Sequence, residues 1–379
     1  MSENSNNKLT DLSLSQLVIE AAQMKQLLVQ LKNSNKKIMS LLSNPLIPFL
    51  AFIGDGIIKL VPEEDDLTDE TLNLDNYEFR RFIGQLRVGH KLLSDKTVSK
   101  TGKLLLGIQE QNFKMLTSEY NALQKIVIDS IGQRDLSIVS YKGIDFGNLL
   151  QTYIYLDPLL KHLDEIKYSD LKTILGPKLI GTSTALSSII SSFVSPFEEF
   201  GRLKIDKLVK IQSRIKEFES KDFFFLDKVR KDIFNNTLPM EQLIVLHSHL
   251  CQLNFIGTIL PEIFGNVSDL YLRFKLITYL EAVKTLKKLV NQKQWIDDFH
   301  RDDINDILNS SIYKLISKRQ VRNNIAHYTI ADYDYEIFKG NNVLIDIIEF
   351  ESKDVFSSFW ESFEEQFVKL KLVIMSLIY

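Results

Sequence analysis

The C-terminal segment carries apolar side chains at an unbroken spacing of four and three residues over three heptads. This periodicity places the side chains along one face of an α-helix. Further apolar residues at Phe359, Leu372 and Val373 widen the stripe, so it must be buried against other helices or against a second copy of the chain. The stripe itself comprises Phe356, Trp360, Phe363, Phe367, Leu370, Ile374 and Leu377.

Similar periodicity along most of the sequence predicts a mainly helical, all-α fold with few short strands. In the N-terminal part, Thr10 or Asp11 can cap a helix that runs to about Ser43. Pro45 and Pro48 are expected to break this helix, because proline lacks the backbone N–H and clashes with the preceding turn.

Two segments are candidates for strands. Leu136–Phe146 has the β-branched and aromatic residues Ile138, Val139 and Tyr141 before Gly143, which predicts a strand followed by a turn. Val343–Phe350 alternates weakly and predicts a second short strand. Between these segments the apolar pattern again predicts long helices, one from about Ser268 to Gln292 and another from about residue 302 to 318.

The chain is long enough for two or three domains. We expect a disordered tail over residues 1–10, a largely helical N-terminal region over residues 11–265 and a helical bundle over residues 266–379. Residues 62–75 include an acidic stretch that is interpreted as a linker. Its carboxylates lack the glycine and the ligand spacing of a calcium-binding loop.

A short polar segment precedes the last part of the chain, Arg322-Asn323-Asn324-Ile325-Ala326-His327-Tyr328. An imidazole exchanges protons near neutral pH, and a guanidinium binds a phosphate through two hydrogen bonds. On a helix, Asn323 and His327 would share a face, whereas Arg322 would lie about 140° from His327. This set of residues suits phosphodiester chemistry without a metal ion.

The pattern of Arg322, Asn323 and His327, followed by Tyr328, resembles the signature of the HEPN superfamily. Upstream, Leu272–Ala282 is similar to the helix of the ApeA-like HEPN ribonuclease group, in which an apolar run carries a glutamate, here Glu281. The resemblance covers the C-terminal third of the chain. It implies an up-and-down four-helix bundle that pairs into a homodimer, with the two motifs lining one cleft.

The resemblance also implies roles for individual residues. His327 would act as general base or acid on the ribose 2′-hydroxyl, and Arg322 would stabilise the charge of the phosphorane. Asn323 would orient His327 or bind the phosphate, with Glu281 as a fourth member of the site. Basic and aromatic residues around the motif either contact RNA or are ordinary solvated and packed side chains: Lys318, Arg319, Lys288 and Tyr328.

Composition limits the class of protein. A net charge of −3 argues against indiscriminate coating of nucleic acid, so an RNA site must be local. The single cysteine, Cys251, excludes an internal disulfide and fits a reducing cytosol. The apolar run Leu179–Val194 is diluted by Gly and Ser and is interpreted as a packed helix rather than a membrane span. We therefore expect a soluble, cytoplasmic protein without membrane association.

Signatures of cofactor and metal enzymes are missing from the sequence. The Gly-Asp-Gly at residues 54–56 lacks the Lys-Ser/Thr sequel of a nucleotide-triphosphate loop. His247 and His249 would point about 160° apart on a helix, which argues against a metal pair. We expect neither a cofactor nor a metal ion.

The sequence therefore favours a metal-independent endoribonuclease that cleaves single-stranded RNA by attack of its own 2′-hydroxyl, in a defence or toxin-like role. The N-terminal region would sense, restrain or deliver the activity, together with an inhibitory or activating protein partner. The alternative is a non-catalytic HEPN-like scaffold or a nucleotide- or protein-binding module. In that case Arg322 and Asn323 cap helices and His327 is an interior histidine.

Overall fold

The computed structural model describes residues 3–61, 71–72, 77–94, 118–156, 168–199, 216–235, 237–264, 268–291, 296–330, 333–340 and 342–379, together with positions 103, 106, 107, 110 and 114. Within these ranges the protein is mainly helical with two small antiparallel sheets, which confirms the all-α class. Most of the linker predicted at residues 62–75 lies outside the described residues, apart from the short strand Thr71–Leu72.

The N-terminal part consists of α1 Glu3–Lys32, α2 Lys36–Leu60, β1 Thr71–Leu72, β2 Tyr77–Glu78, α3 Phe79–Ser94, α4 Ala122–Ile131, β3 Leu136–Tyr141, β4 Ile144–Asn148, α5 Leu149–Leu156, α6 Tyr168–Glu199 and β5 Phe218–Phe223. The C-terminal part consists of α7 Met240–Asn254, a π-helical turn Phe255–Ile259, α8 Leu260–Phe264, α9 Ser268–Val290, α10 Asp298–Asn309, α11 Ser311–Ile316, α12 Arg319–Ala326, a 3₁₀ turn Tyr335–Ile337, α13 Val343–Ser352 and α14 Phe356–Ile378. Helix α1 packs against α2 and α6, and α7 packs against α9 and α14.

Helix α1 begins at Glu3, so the disordered tail predicted for residues 1–10 is wrong from that residue onwards. Leu9 is buried, and the hydroxyl of Ser13 donates to its carbonyl at 2.8 Å. The Lys8 ammonium lies 5.0 Å from the centre of the Tyr335 ring. The local hydrogen bond and the contact of Lys8 with distant Tyr335 stabilise a segment whose polar sequence alone does not indicate a helix.

Helix α2 contains Pro45 and Pro48, so the predicted break at these prolines is also wrong. A proline inside a helix costs about 3 kcal/mol. Every residue from 42 to 54 is buried, and full burial of one large apolar side chain stabilises by about 1.5–3 kcal/mol. Burial of this helix along its whole circumference outweighs the two prolines.

The strand and turn predicted near Gly143 are confirmed. Strands β3 and β4 form an antiparallel hairpin with Tyr141 opposite Ile144, and β5 pairs with the other edge of β3. The two turn residues, Lys142 and Gly143, both have positive φ, as a two-residue hairpin turn of type I′ requires.

The second predicted strand, Val343–Phe350, is wrong because this segment is helix α13. The Asn342 side chain caps it by accepting from the N–H groups of Leu344 and Ile345. The helix predicted up to Lys318 is divided at Ser310, whose hydroxyl accepts from the N–H of Tyr313 and starts a new helix, α11. In both segments a polar side chain, Asn342 or Ser310, fixes where a helix begins, which the apolar pattern does not indicate.

The apolar stripe of α14 is buried against the rest of the protein, as its width predicts. Phe363, Phe367 and Ile374 are at most 2% exposed. The outer face of the helix keeps Val368 and Leu372 more than half exposed, so Leu372 lies outside the buried stripe.

The hydrophobic cores cross the predicted domain boundary at residue 265. One core joins α1, α2, α3, the three-stranded sheet and α6 to Leu270, Phe274 and Tyr328. The other joins α9–α14 to α7 and to Phe52 of α2. Helix α1 also bonds directly to the C-terminal part: Gln23, Ser13 and Gln16 accept from the backbone N–H groups of Leu270, Ile330 and Val343, respectively.

Among the residues that the structure describes, two helical segments are long and apolar enough to cross a membrane, Lys36–Leu60 and Met240–Glu262. The most apolar windows of these segments are 83% and 89% buried inside the protein, as is usual for core helices of globular proteins. The run Leu179–Val194 interpreted from the sequence as a packed helix belongs to α6.

Two helical glycines provide a test of the packing. Alanine at Gly257 is expected to lower the free energy of unfolding by about 1–3 kcal/mol, because its Cβ would lie 2.5 Å from Cε1 of Phe367. Gly84 is an exposed position of α3 where an added Cβ would meet nothing within 4 Å. Alanine there is expected to raise the free energy of unfolding by about 0.5–1 kcal/mol. Urea unfolding of the two variants measures both effects. Equal changes of the same sign in the free energy of unfolding would contradict the close packing of Gly257 against Phe367.

Candidate active site

The motif lies at the end of helix α12. The backbone N–H of His327 donates to the carbonyl of Asn323 at 2.9 Å, and His327 itself is extended with φ −139° and ψ 153°. The helix ends at Ala326, so the shared helical face predicted for Asn323 and His327 does not exist. The imidazole is instead placed by the residues that fix the end of α12.

A buried ion pair fixes that helix end. The Arg273 Nε lies 2.9 and 2.7 Å from the two carboxylate oxygens of Glu20, and both side chains are almost fully buried. Arg273 Nη1 donates to the carbonyls of Asn324 and Ile325 at 2.8 and 2.9 Å. Because the last carbonyls of a helix lack partners within it, the guanidinium satisfies groups that would otherwise be left unbonded.

Tyr328 belongs to the same buried cluster, so of the two alternatives for this residue the structure agrees with the packed side chain rather than with stacking on an RNA base. Its hydroxyl donates to Glu20 at 2.7 Å, and its ring lies 4.3 Å from the Arg273 guanidinium. Burial raises the pKa of this hydroxyl well above its ordinary value, and the Glu20 carboxylate adds to the shift. Tyr328 is therefore a neutral donor that anchors the residue next to His327.

The imidazole of His327 meets two side chains of helix α2. Its Nδ1 lies 3.2 Å from Nζ of Lys59 and 3.7 Å from Oδ2 of Asp55. The side chain is 36% exposed, so the ring is held from one side and accessible to solvent from another. All the contacts that the structure gives to this ring among the described residues use Nδ1, which leaves Nε2 for a ligand.

Asp55 is the centre of a group of side chains formed by His327, Lys59, Asp55 and Arg87, the His327 group. Its Oδ2 accepts from Lys59 at 2.8 Å and from Nη1 of Arg87, in helix α3, at 2.7 Å. Partial burial opposes ionisation, but the hydrogen bond with His327 and the charges of Arg87 and Lys59 outweigh it and hold the pKa of Asp55 well below its usual range. The carboxyl is thus ionised at neutral pH.

Arg87 joins the group to Glu281. Its guanidinium carbon lies 4.3 Å from the centre of the Phe52 ring. Burial lowers the pKa of Arg87, and the negative charges of Asp55 and Glu281 oppose that shift. Glu281 is thus close enough for its charge to act on Arg87, which pairs with Asp55, whereas a role of Glu281 in the chemistry of His327 stays a prediction.

The predicted arginine lies apart from this group. Arg322 is exposed, and its Nη2 is 3.4 Å from Oδ1 of Asn323. Its charge acts on Tyr313, whose pKa burial raises and the guanidinium lowers. The Asn323 side chain thus contacts Arg322, whereas Lys59 and Asp55 contact the His327 ring. Of the two roles expected for Asn323, the structure does not give the orienting of His327, and binding of the phosphate stays a prediction.

The predicted RNA-contacting residues are spread over the surface around α12. Lys318 donates to Glu351 at 2.8 Å, and Arg319 is exposed in the first turn of the helix. Lys288 is half-buried on α9, about two turns beyond Glu281. Lys318, Arg319 and Arg322 are all exposed, and of these Lys318 is paired with Glu351.

Comparison with protein-family models, curated proteins and solved structures finds no match. The site is therefore interpreted from its own geometry.

His247 and His249 contact different side chains. His247 is buried between Asn148 and Asp145, whereas Nε2 of His249 lies 2.8 Å from the Thr285 hydroxyl. In the described part of the chain, no group of three His, Cys, Asp or Glu side chains is arranged to hold a metal ion.

The sequence interpretation did not include Asp55, Lys59, Arg87, Arg273 or Glu20 in the site. A local signal existed at Gly54-Asp55-Gly56, where two glycines in a buried helix allow close approach. A Cβ at Gly54 would overlap Ile83, and one at Gly56 would overlap Tyr328 and Leu17. The glycines thus bring the carboxylate between them close to α3 and to the motif.

Proposed function

We propose that the chain is a metal-independent endoribonuclease that cleaves single-stranded RNA, with His327 as the proton-transferring residue. The observation that carries the proposal is the pair of partners at Nδ1 of His327, a cation at 3.2 Å and a carboxylate at 3.7 Å. The resemblance of Arg322, Asn323 and His327 to the HEPN signature supports the same reaction class.

A general acid–base residue must be stabilised both with and without its extra proton. In the neutral tautomer with its proton on Nδ1, that proton faces the ionised Asp55, and Nε2 has a lone pair that can accept a proton. In the imidazolium, Nδ1–H still faces Asp55 and Nε2 carries the added proton. Asp55 therefore orients the ring in both states, and the proton is exchanged at Nε2 without rearrangement of the site.

The reaction is a transesterification within the RNA. The ribose 2′-oxygen attacks the adjacent phosphorus as its proton is removed, and the bond from phosphorus to the 5′-oxygen breaks as that oxygen takes up a proton. His327 carries one of these protons through Nε2. Arg322 would stabilise the negative charge of the phosphorane. The products carry a 2′,3′-cyclic phosphate and a free 5′-hydroxyl.

The same proposal includes a homodimer, a cytoplasmic location, a defence or toxin-like role and a regulatory protein partner.

A second function is supported by the contact of the Arg322 guanidinium with Asn323 rather than with the ring. In that alternative the chain is a non-catalytic scaffold or binding module, and Lys59 and Asp55 simply tie helix α2 to the end of α12.

The test is incubation of the full chain in EDTA with a single-stranded RNA and with DNA of the same sequence. We expect the RNA to be cleaved and the DNA to remain intact, because DNA has no 2′-hydroxyl. Mass spectrometry of the products should find 2′,3′-cyclic phosphates. Cleavage of the DNA as well as the RNA, or cleavage that needs a divalent metal ion, would contradict the proposal. Binding of RNA without cleavage would favour the scaffold.

A further inference from the structure

A second cation is better placed than Arg322 to bind a phosphate beside His327. Lys59 approaches the imidazole to 3.2 Å, and its side chain is 39% exposed. Arg322 is likewise exposed, but its guanidinium contacts Asn323 and not the ring. Proximity to the proton-transferring group therefore distinguishes the two residues.

The ammonium of Lys59 also has a donor to spare. A lysine ammonium has three N–H groups. One donates to Asp55 at 2.8 Å, and a second can face Nδ1 of His327. The third remains for a ligand, and the exposure of the side chain makes it reachable from solvent.

Asp55 and Arg87 fix the position of this ammonium. Lys59 lies one helical turn after Asp55, and the carboxylate is held from the other side by Arg87 at 2.7 Å. The Arg87 side chain is 10% exposed and lies against the Phe52 ring, so it is itself restrained. A flexible lysine is thereby ordered before any ligand arrives, which lowers the entropic cost of binding.

We infer that Lys59 binds the phosphate that undergoes attack, next to Nε2 of His327, and that Asp55 and Arg87 are positioning residues for it. That this phosphate undergoes attack rests on the proposed function. Binding of a phosphate by Lys59 does not depend on cleavage. Helix α2 of the N-terminal part would then complete the site of the C-terminal motif. The ligand is a phosphodiester of the RNA backbone, and a free phosphate ion is the other source of the same chemical group.

The test measures binding of a 2′-O-methyl RNA oligonucleotide, which cannot undergo attack by its own 2′-oxygen. Lys59→Met is expected to weaken binding about tenfold and to reduce the slope of log affinity against log salt by about 0.7, the change for one lost contact to a single strand. Lys59→Arg should bind within about threefold of the wild type, since it keeps the charge. The matched control is Lys37→Met, which removes an exposed lysine from the same helix.

Helical circular dichroism and the melting temperature establish that each variant is folded. Equal binding by Lys59→Met and Lys37→Met would overturn the inference, as would failure of the wild type to bind the oligonucleotide. Inorganic phosphate is then added as a competitor. We expect displacement of the oligonucleotide only at far higher phosphate concentrations, and tighter binding of inorganic phosphate would overturn the assignment to RNA.

Cleavage of unmodified RNA separates the two proposals. If Lys59→Met weakens oligonucleotide binding as expected but the wild type does not cut RNA, the phosphate site stands and the proposed function fails. If Lys59→Met cuts RNA as fast as the wild type in a reaction that depends on His327, the proposed function stands and the inference fails.

Discussion

Alanine at His327 is expected to lower the rate of RNA cleavage by about 10²–10⁴-fold, the usual contribution of one general acid or base. The substitution removes the group that exchanges protons and leaves Arg273, Glu20 and Tyr328 to hold the end of α12. Because the ring is 36% exposed, its loss creates no closed cavity. The rate is measured in a single turnover with excess protein in EDTA.

His300→Ala is the matched control, since His300 is a partly exposed histidine at the start of α10 that pairs with Asp297, the residue that caps the same helix. It should cut RNA at the wild-type rate. Arg322→Ala is expected to slow cleavage less than Lys59→Met does, because Lys59 is the cation beside the ring. Wild-type cutting by His327→Ala would show that the nuclease activity comes from another site or another protein.

Methionine at Arg273 is expected to lower the free energy of unfolding by about 3–5 kcal/mol, the cost of leaving one partner of a buried ion pair alone. Burial raises the pKa of Glu20 even beside Arg273, so without the guanidinium Glu20 must either stay buried as an unpaired carboxylate or take up a proton, and the carbonyls of Asn324 and Ile325 would lose their donor. Urea unfolding followed by circular dichroism measures the change. Methionine fills a similar volume, so the loss reflects charge and hydrogen bonding more than packing.

Two further variants make this measurement specific. The double variant Glu20→Leu with Arg273→Met should be less destabilised than Arg273→Met alone, because no unpaired charge remains. Arg301→Met breaks an ion pair whose Asp298 side chain is 92% exposed, and should cost less than about 1 kcal/mol. Equal losses from Arg273→Met and Arg301→Met would contradict the role of the buried pair.

The class of the fold was predictable from short-range periodicity, whereas several boundaries were not. The stripe of α14 and the hairpin at Gly143 follow from local spacing and turn chemistry. The helix through Pro45 and Pro48, and the helix at Val343, depend instead on burial against distant segments and on the Asn342 cap. Local patterns cannot weigh these effects, because the partners lie far away in the chain.

The candidate site likewise combines residues that the local sequence indicates with residues that it does not. His327 was recognisable from the motif, and Glu281 from the helix around it. Asp55 and Lys59 form an ordinary pair one turn apart on α2, and Lys59 meets the imidazole across 268 residues of chain. A spacing of this kind on one helix usually indicates a solvated ion pair, so the sequence did not connect it with the motif.

The bonds from α1 to the C-terminal part have a consequence for synthesis on the ribosome. Gln16 and Val343 are separated by 327 residues, and Glu20 and Arg273 by 253. At about 5–20 residues per second, a nascent α1 waits on the order of 15–60 s for these partners to be translated. Helices α2 and α6, which pack on α1, are made earlier, but Gln16 and Glu20 lack their native partners during that interval. We therefore expect chaperones to engage the emerging chain until its last third leaves the exit tunnel.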